Sequence, residues 1–347
     1  VYEKQKELGC VFGLNYGWEH PLWFAPQGVE PKEDYGFKRQ DWWHHVKSEC
    51  DNLRTNVGIV DVSNFGKYEV KGQGASQWVD KIIANNVPKE IGRSCLTPLI
   101  GIRGGVAGDF TVTKLDDEHF FIVGSGMAER YHIRFFEMIE RPNSVDFQSL
   151  TEEMCGFNVA GPKSRTLLSR MTQEDLSNEN WKFMRSRSIT IAGIDAIAIR
   201  VSFTGDLGWE IYVKTENQLK LYEALLETGA DLGVKPVGGR SLLSLRVEKG
   251  YGSWGREYSP EYWPQEVGLD RLIKLDKPSF LGKEAYLKIK DQKPREKLVV
   301  LEVNADRNAD PAGGEPVFLR DGTPVGRVTS GAYGYTCDKS LAICMIK

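Results

Sequence analysis

The sequence lacks several features that would assign it to common functional classes. No apolar run approaches the roughly 18 uncharged residues that a membrane-spanning helix needs, and the six cysteines include no C-x-x-C pair. A net charge of −3 over 347 residues argues against a broad cationic surface for nucleic acids. We therefore predict no membrane or nucleic-acid partner. The scattered thiols favour a reducing compartment, either the cytoplasm or, in a eukaryote, the mitochondrial matrix.

The usual cofactor and nucleophile motifs are also missing. The segment V-G-S-G over 123–126 follows a predicted strand, but Glu129 stands where G-x-G-x-x-G requires its third glycine. The segment G-P-K-S over 161–164 ends like a phosphate loop, yet Pro162 removes a backbone donor and instead predicts the first turn of a helix. No G-x-S-x-G elbow is present. The sequence thus predicts neither a dinucleotide site nor a covalent nucleophile.

The five histidines have no metal-ligand spacing such as H-E-x-x-H. We expect them at surface or helix-capping positions: His20, His44, His45, His119 and His132.

Strand and helix patterns interleave without the regular alternation of a parallel α/β sheet, which predicts an α+β fold. Helical spacing extends over 41–56, 77–84 and 217–227, and strand patterns cover 66–70, 111–115 and 119–123. A polar segment near 288–294 suggests two domains, 1–290 and 291–347. The second reads as a small β-barrel with a hairpin turn over 320–323. Both ends of the chain look cut, so we expect a piece of a longer protein.

Four separated segments have the most informative patterns. They are G-W-E-H-P-L-W-F over 17–24, D-V-S-N-F-G-K over 61–67, G-G-V-A-G-D-F over 104–110 and F-T-G-D-L-G-W-E-I-Y over 203–212. In this order they resemble the aminomethyltransferase family, which includes the T-protein of the glycine cleavage system. The resemblance implies two mixed α/β portions that enclose a central tetrahydrofolate pocket, followed by a C-terminal β-barrel.

The same resemblance implies the site residues. Asp109 matches the proposed catalytic carboxylate, which could stabilise positive charge and steer a proton as a folate nitrogen attacks the one-carbon unit. Glu210 would accept hydrogen bonds from the donor-rich aminopyrimidine edge of the pterin. The predicted folate-binding residues are Glu210, Phe65, Phe203, Tyr251 and Val123.

Several positions depart from the glycine cleavage pattern. Gly108 replaces the first acid of a D-D pair, Phe203 replaces a tyrosine, and Leu242 stands where an arginine belongs. In contrast, S-L-R-V-E-K-G-Y over 244–251 and W-G over 254–255 resemble the dimethylglycine and sarcosine dehydrogenases. This branch implies capture of formaldehyde or an iminium from oxidative N-demethylation as 5,10-methylenetetrahydrofolate. FAD is expected only on a separate domain or subunit, which would be the partner of this chain.

Three alternatives stay open at this point. A glycine cleavage T-protein would need a lipoyl carrier partner. A direct methyltransferase would yield 5-methyltetrahydrofolate. A non-catalytic relative would bind folate and assist iron–sulfur assembly.

Overall fold

Helices and strands are distributed along the whole chain in the computed structural model, which describes residues 1–15, 17–33, 35–36, 38–304 and 309–347, with only the backbone of Asn15. The helices are α1 (Tyr2–Glu7), α2 (Trp43–Thr55), α3 (Ala75–Ile82), α4 (Glu129–Phe136), α5 (Ser164–Ser169), α6 (Gln218–Thr228), α7 (Gly239–Glu248) and α8 (Lys283–Leu287). The strands are β1 (Cys10–Asn15), β2 (Trp18–Phe24), β3 (Val57–Asp61), β4 (Gly66–Lys71), β5 (Ser94–Ile100), β6 (Val106–Asp116), β7 (His119–Gly124), β8 (Asp146–Ser149), β9 (Met154–Ala160), β10 (Ser186–Ile191), β11 (Ile194–Ile199), β12 (Gly208–Lys214), β13 (Val234–Val237), β14 (Lys297–Glu302), β15 (Pro316–Phe318), β16 (Pro324–Gly334) and β17 (Lys339–Ile346).

Two large sheets form the body of the protein. One has six strands in the order β10-β11-β12-β9-β3-β13, and the other has five in the order β5-β6-β7-β4-β8. All neighbours are antiparallel except β13 and β3. A hairpin of β1 and β2 precedes them, and a four-stranded sheet β14-β17-β16-β15 follows. The predicted α+β class is confirmed. In the described residues, no helix is both long and apolar enough to cross a bilayer.

Alternation along β12 separates two hydrophobic clusters. Trp209, Ile211 and Val213 face a cluster that also contains apolar residues of α6. Tyr212 faces the opposite way and packs edge-on against Phe121 of β7, with ring centroids 5.2 Å apart. Because successive strand residues point to opposite faces, the second cluster lies between the two large sheets. We call it the inter-sheet cluster. Each fully buried side chain of this size contributes roughly 1.5–3 kcal/mol.

The far face of the five-stranded sheet is covered by α3 and α4. Trp78 of α3 and Phe136 of α4 pack there against Phe110 and Phe120. The helix predicted over 77–84 is present but starts two residues earlier, at Ala75.

His132 lies in this same layer with no exposed surface, so the expectation of a surface or capping role is wrong for this histidine. The 3.6-residue period of α4 places it on the inner side of the helix, where its Nδ1 lies 3.3 Å from the Tyr68 hydroxyl. Burial lowers the pKa of His132 to about 3, so it is neutral at physiological pH.

The C-terminal sheet packs against α7 of the preceding domain. Val247 of α7 shares a buried cluster with Leu341 and Ile343 of β17. The predicted turn over 320–323 joins β15 and β16, so that hairpin is confirmed. The position of the domain boundary at 290 stays a prediction.

A buried ion pair fixes the junction between the two domains. Arg246 of α7 donates to Glu257 at 2.9 Å, and these side chains are 3% and 0% exposed. The same guanidinium donates to the Tyr251 carbonyl at 2.8 Å and to the Ser330 hydroxyl of β16 at 2.6 Å. One side chain therefore ties α7, the 250–258 loop and the C-terminal sheet together.

Replacing Glu257 with alanine should lower the free energy of unfolding by about 3–5 kcal/mol, because the Arg246 guanidinium is left buried without its counter-ion. Chemical denaturation followed by circular dichroism measures this change. Lys47→Ala, which removes an exposed ion pair within α2, should change it by no more than about 0.5 kcal/mol. Equal effects of the two variants would contradict the assigned role of the buried pair.

Candidate functional site

A buried carboxyl group with few partners marks the space between the two large sheets. Glu210 of β12 is 6% exposed and shares the inward face of the strand with Tyr212. The Tyr212 hydroxyl donates to Glu210 Oε2 at 2.8 Å, and no second donor reaches Glu210 from the described residues. Burial raises the pKa of Glu210 to about 7, with a smaller opposing effect of Tyr212.

Glu49 shows what a structurally satisfied carboxyl group looks like in the same protein. It is also buried and accepts hydrogen bonds from the Phe24 and Gly238 amides at 2.7 and 2.8 Å and from the Ser241 hydroxyl at 2.6 Å. Burial likewise raises its pKa to about 7. A carboxylate can accept about four hydrogen bonds, so Glu210 retains unused acceptor capacity and Glu49 has little left.

Strands β4 and β7 line the opposite side of the same space. Val123 of β7 is buried in the inter-sheet cluster, and Phe65, which directly precedes β4, packs against that cluster. Lys67 pairs with Val123 across the two strands, which places both on one face of the sheet. Two predicted folate-binding residues, Val123 and Phe65, thus meet in one cluster.

Asp109 of β6 belongs to this face as well. Thr111 pairs with Val123, and Asp109 lies two residues earlier on the same side of β6. The residue as a whole is partly buried, and the surrounding protein desolvates its carboxyl group and raises the pKa to about 6. The nearby Tyr258 has its pKa raised to about 12, first by burial and then by the charge of Asp109. Asp109 is therefore close to the 250–258 loop.

Two aromatic rings form a stack beside this space. Phe203 and Tyr251 lie nearly parallel, with centroids 6.1 Å apart and an interplanar angle of 24°. Phe203 is half-buried and Tyr251 is 41% exposed. The pair thus presents flat apolar surface that is partly open to solvent.

The loop that contains Phe203 is fixed by hydrogen bonds from the six-stranded sheet. Asn158, paired with Glu210 across β9 and β12, donates to the Val201 carbonyl at 3.1 Å and accepts from the Ser202 hydroxyl at 3.0 Å. The stack is therefore linked to the strand register that also orients Glu210.

Arg54 of α2 fixes the far end of that loop. Its guanidinium donates to Asp206 and, at 2.9 Å, to Glu248 of α7. Arg54 and Arg246 thus anchor the two loops that present the stacked rings.

The departure at position 108 has a steric explanation. A Cβ atom on Gly108 would lie 2.9 Å from Nε2 of the buried His132. The histidine and Phe110 occupy the space that an aspartate side chain would need at this position. Leu242 packs against the inter-sheet cluster, so an apolar contact replaces the arginine. Within the described part of the chain, no group of three metal-ligating side chains is assembled.

Comparison with known protein families assigns both parts of the chain. Residues 1–277 match the model of the GCVT N-terminal domain, and residues 296–347 match the glycine cleavage T-protein C-terminal barrel domain. The chain belongs to the glycine cleavage T-protein, or aminomethyltransferase, family. The predicted family fold with a C-terminal barrel-type domain is thereby confirmed.

Individual relatives include both dehydrogenases and transferases. The chain is 36% identical over 343 residues to mitochondrial dimethylglycine dehydrogenase of Rattus norvegicus, which covers 98% of this chain and 40% of that protein. It is 33% identical over 354 residues to 4-methylaminobutanoate oxidase (formaldehyde-forming) of Paenarthrobacter nicotinovorans. That match covers 100% of this chain and 42% of the oxidase. An aminomethyltransferase of Thermoanaerobacter sp. (strain X514) is 31% identical over 302 residues, which cover 87% of this chain and 81% of that protein. The chain thus spans about 40% of the length of these dehydrogenase and oxidase relatives.

Among solved structures, the glycine cleavage system aminomethyltransferase T of Bartonella henselae has the same fold. The TM-score is 0.85 at 23% sequence identity, over 99% of this chain and 88% of that one.

Within this aminomethyltransferase-family chain, the structure gathers the predicted site residues in one region, and their individual roles stay predictions. Tyr212 and Lys67 were missed as site residues, although both lie within the recognised motifs. The alternation of strand residues could have identified Tyr212, because it lies two positions after Glu210 on β12 and so shares its face of the sheet. The ion pair of Arg246 and Glu257 could not be predicted, because the two residues are 11 positions apart and belong to different elements.

Replacing Tyr212 with phenylalanine should raise the pKa of Glu210 above about 7, because the hydrogen bond from Tyr212, which favours the ionised form of Glu210, is lost. Carbon-13 NMR titration of the glutamate side chains measures that pKa. Tyr222→Phe is the matched control, since the Tyr222 hydroxyl is buried but has no partner in the described structure. An unchanged Glu210 pKa in the Tyr212 variant would disprove the coupling.

Proposed function

We propose that this chain binds tetrahydrofolate between its two large sheets and loads it with a one-carbon unit released by oxidative N-demethylation of a methylated amine. The donor is formaldehyde or an iminium, and the product is 5,10-methylenetetrahydrofolate. The observation that supports this most strongly is Glu210, a buried carboxyl group that has a single hydrogen-bond donor among the residues that the structure describes.

Glu210 suits the recognition of the pterin. The aminopyrimidine edge offers adjacent N–H donors, and a carboxylate can accept two of them in a charge-assisted pair. Burial raises the pKa of Glu210 to about 7. Binding would supply donors to the ionised form, so folate affinity should increase as the pH rises through about 7.

The stack of Phe203 and Tyr251 suits the flat benzoyl ring of the folate. Aromatic stacking contributes roughly 0.5–1.5 kcal/mol beyond area burial. Because Tyr251 is partly exposed, the acidic tail of the ligand would leave the site on this side.

Asp109 is the proposed catalytic carboxylate. Tetrahydrofolate supplies two amine nitrogens that take up the carbon of formaldehyde as a methylene bridge, and water is released. Asp109, when ionised, can stabilise the positive charge that develops at nitrogen and accept the proton that must leave it. The raised pKa of about 6 brings its protonation equilibrium close to neutral pH, where proton transfer in both directions is efficient.

The oxidation that yields the donor is assigned to an FAD-containing domain or subunit outside this chain. The names of two relatives, a dimethylglycine dehydrogenase and a formaldehyde-forming oxidase, support this assignment. Both are more than twice as long as this chain, since the matched segment covers only 40–42% of each.

A second candidate is aminomethyl transfer from a carrier protein, favoured by the Thermoanaerobacter relative, of which the match covers 81%. Incubation with tetrahydrofolate and either formaldehyde or an aminomethylated lipoyl carrier distinguishes the two donors.

Replacing Glu210 with glutamine should weaken tetrahydrofolate binding by about 10–100-fold, because a charge-assisted pair is replaced by neutral hydrogen bonds. Thermal unfolding with increasing ligand measures this, since a ligand at 100 times its Kd stabilises the folded state by about 2.7 kcal/mol. Glu49→Gln is the control: it should lower the melting temperature without changing the ligand-induced shift. Failure of the wild-type chain to be stabilised at all would refute the proposed function.

Replacing Asp109 with asparagine should leave folate binding nearly unchanged and slow methylenetetrahydrofolate formation by about 10²–10⁴-fold. Stopped-flow measurement at fixed formaldehyde concentration separates the two effects. An unaltered rate would remove Asp109 from the mechanism.

A further inference from the structure

Lys67 is a buried cation that neither the family motifs nor the proposed chemistry explains. It has no exposed surface, although lysine is almost never fully buried unless it is paired. Its Nζ donates to the Ser63 carbonyl at 2.8 Å and to the Phe65 carbonyl at 2.7 Å. In the described structure no carboxylate lies within ion-pair distance of that nitrogen.

Both acceptors belong to the short loop between β3 and β4. The Phe65 amide donates to the Val62 carbonyl at 3.1 Å, and the Val62 amide donates to Gly156 of β9 at 2.9 Å. The loop therefore turns tightly, and two of its carbonyls converge on one ammonium group. Without that group these carbonyls would face each other across a desolvated space, which is unfavourable.

The opposite side of the loop is also restrained. Gly126, at the start of the segment leading into α4, approaches so closely that a Cβ atom there would lie 1.8 Å from the Asn64 carbonyl oxygen. Backbone thus packs on one side of the loop and the Lys67 ammonium on the other. The remaining freedom of Phe65 is small as long as the ammonium is in place.

We propose that Lys67 is a positioning residue whose ammonium holds the 62–66 loop so that Phe65 meets the reduced folate, and that this makes folate affinity decline at alkaline pH. The inference rests on the proposed function for the identity of the ligand. It does not require Lys67 to touch the ligand.

Three charged or titratable groups among the described residues act on Lys67. Asp61 of β3, Glu129 of α4 and Cys155 of β9 face it from the neighbouring elements. Burial lowers the pKa of Lys67 to about 8, and these three groups oppose that shift only in part. Cys155 is a neutral thiol near neutral pH, since burial raises its pKa to about 12. Lys67 should therefore lose its proton above about pH 8, and a neutral amine would hold the two loop carbonyls less strongly than an ammonium group.

The closing experiment compares Lys67→Met with Lys277→Met. Lys277 is another buried lysine, 5% exposed, whose Nζ donates to the carbonyls of Asp80, Ile83 and Asn85 and also pairs with the Asp80 carboxylate at 3.0 Å. It precedes α8 in the chain and contacts the C-terminal end of α3, outside the proposed site. Both variants keep most of the length of the unbranched side chain and remove the ammonium group and its charge. Tetrahydrofolate Kd is measured by calorimetry between about pH 6 and 9.5, and amide hydrogen exchange is measured without ligand.

We expect Lys67→Met to raise Kd about tenfold at pH 7, to abolish the decline in affinity above about pH 8, and to speed exchange at residues 62–66. Lys277→Met should leave all three unchanged. Equal effects of the two variants, or wild-type-like affinity in Lys67→Met, overturn the inference. If Lys67→Met does not fold, the wild-type pH profile decides, and constant affinity from pH 7 to 9.5 overturns it. A wild-type chain that binds no folate refutes the proposed function instead, while the hydrogen exchange still tests the role of Lys67 in the loop.

Discussion

Burying a carboxyl group between two sheets is unfavourable unless donors compensate it, and the arrangement around Glu210 depends on this constraint. Among the described residues only the Tyr212 hydroxyl donates to it, and burial raises its pKa to about 7. A comparable buried group, Glu49, accepts three hydrogen bonds instead of one. The unfilled hydrogen-bond acceptor sites of Glu210 are therefore specific to that position. A ligand with a donor-rich edge would fill them.

The contacts of two arginines hold the loops beside the space between the two large sheets. Arg54 restrains the loop before β12, and Arg246 restrains the loop after α7, so the stacked rings of Phe203 and Tyr251 are anchored from both sides. Arg246 also reaches Ser330 in the C-terminal sheet, which makes the second domain part of the framework of the first. A buried pair such as Arg246 and Glu257 adds little net stability over an apolar contact, but breaking it is costly. Its contribution here is to fix geometry.

Much of this could be predicted from the sequence because the decisive signals are local. Strand alternation, the hairpin turn over 320–323 and the ordered motifs led to the α+β fold and to the region of Glu210 and Asp109. What escaped prediction depends on distant contacts. Lys67 alternates with Glu69 and Lys71 on β4, a pattern typical of a solvent-exposed face. The strand instead leads from the interior to the surface, so that Lys67 is buried and Lys71 is exposed. His132 was misjudged because α4 is covered on one side by residues remote in sequence.

The most direct test of the central claim is a crystal structure of the chain with tetrahydrofolate bound. The account predicts that the aminopyrimidine edge of the pterin lies within hydrogen-bond distance of both carboxylate oxygens of Glu210, with the benzoyl ring against Phe203 and Tyr251. A folate bound outside the space between the two large sheets, or a pterin edge that makes no contact with Glu210, would contradict it.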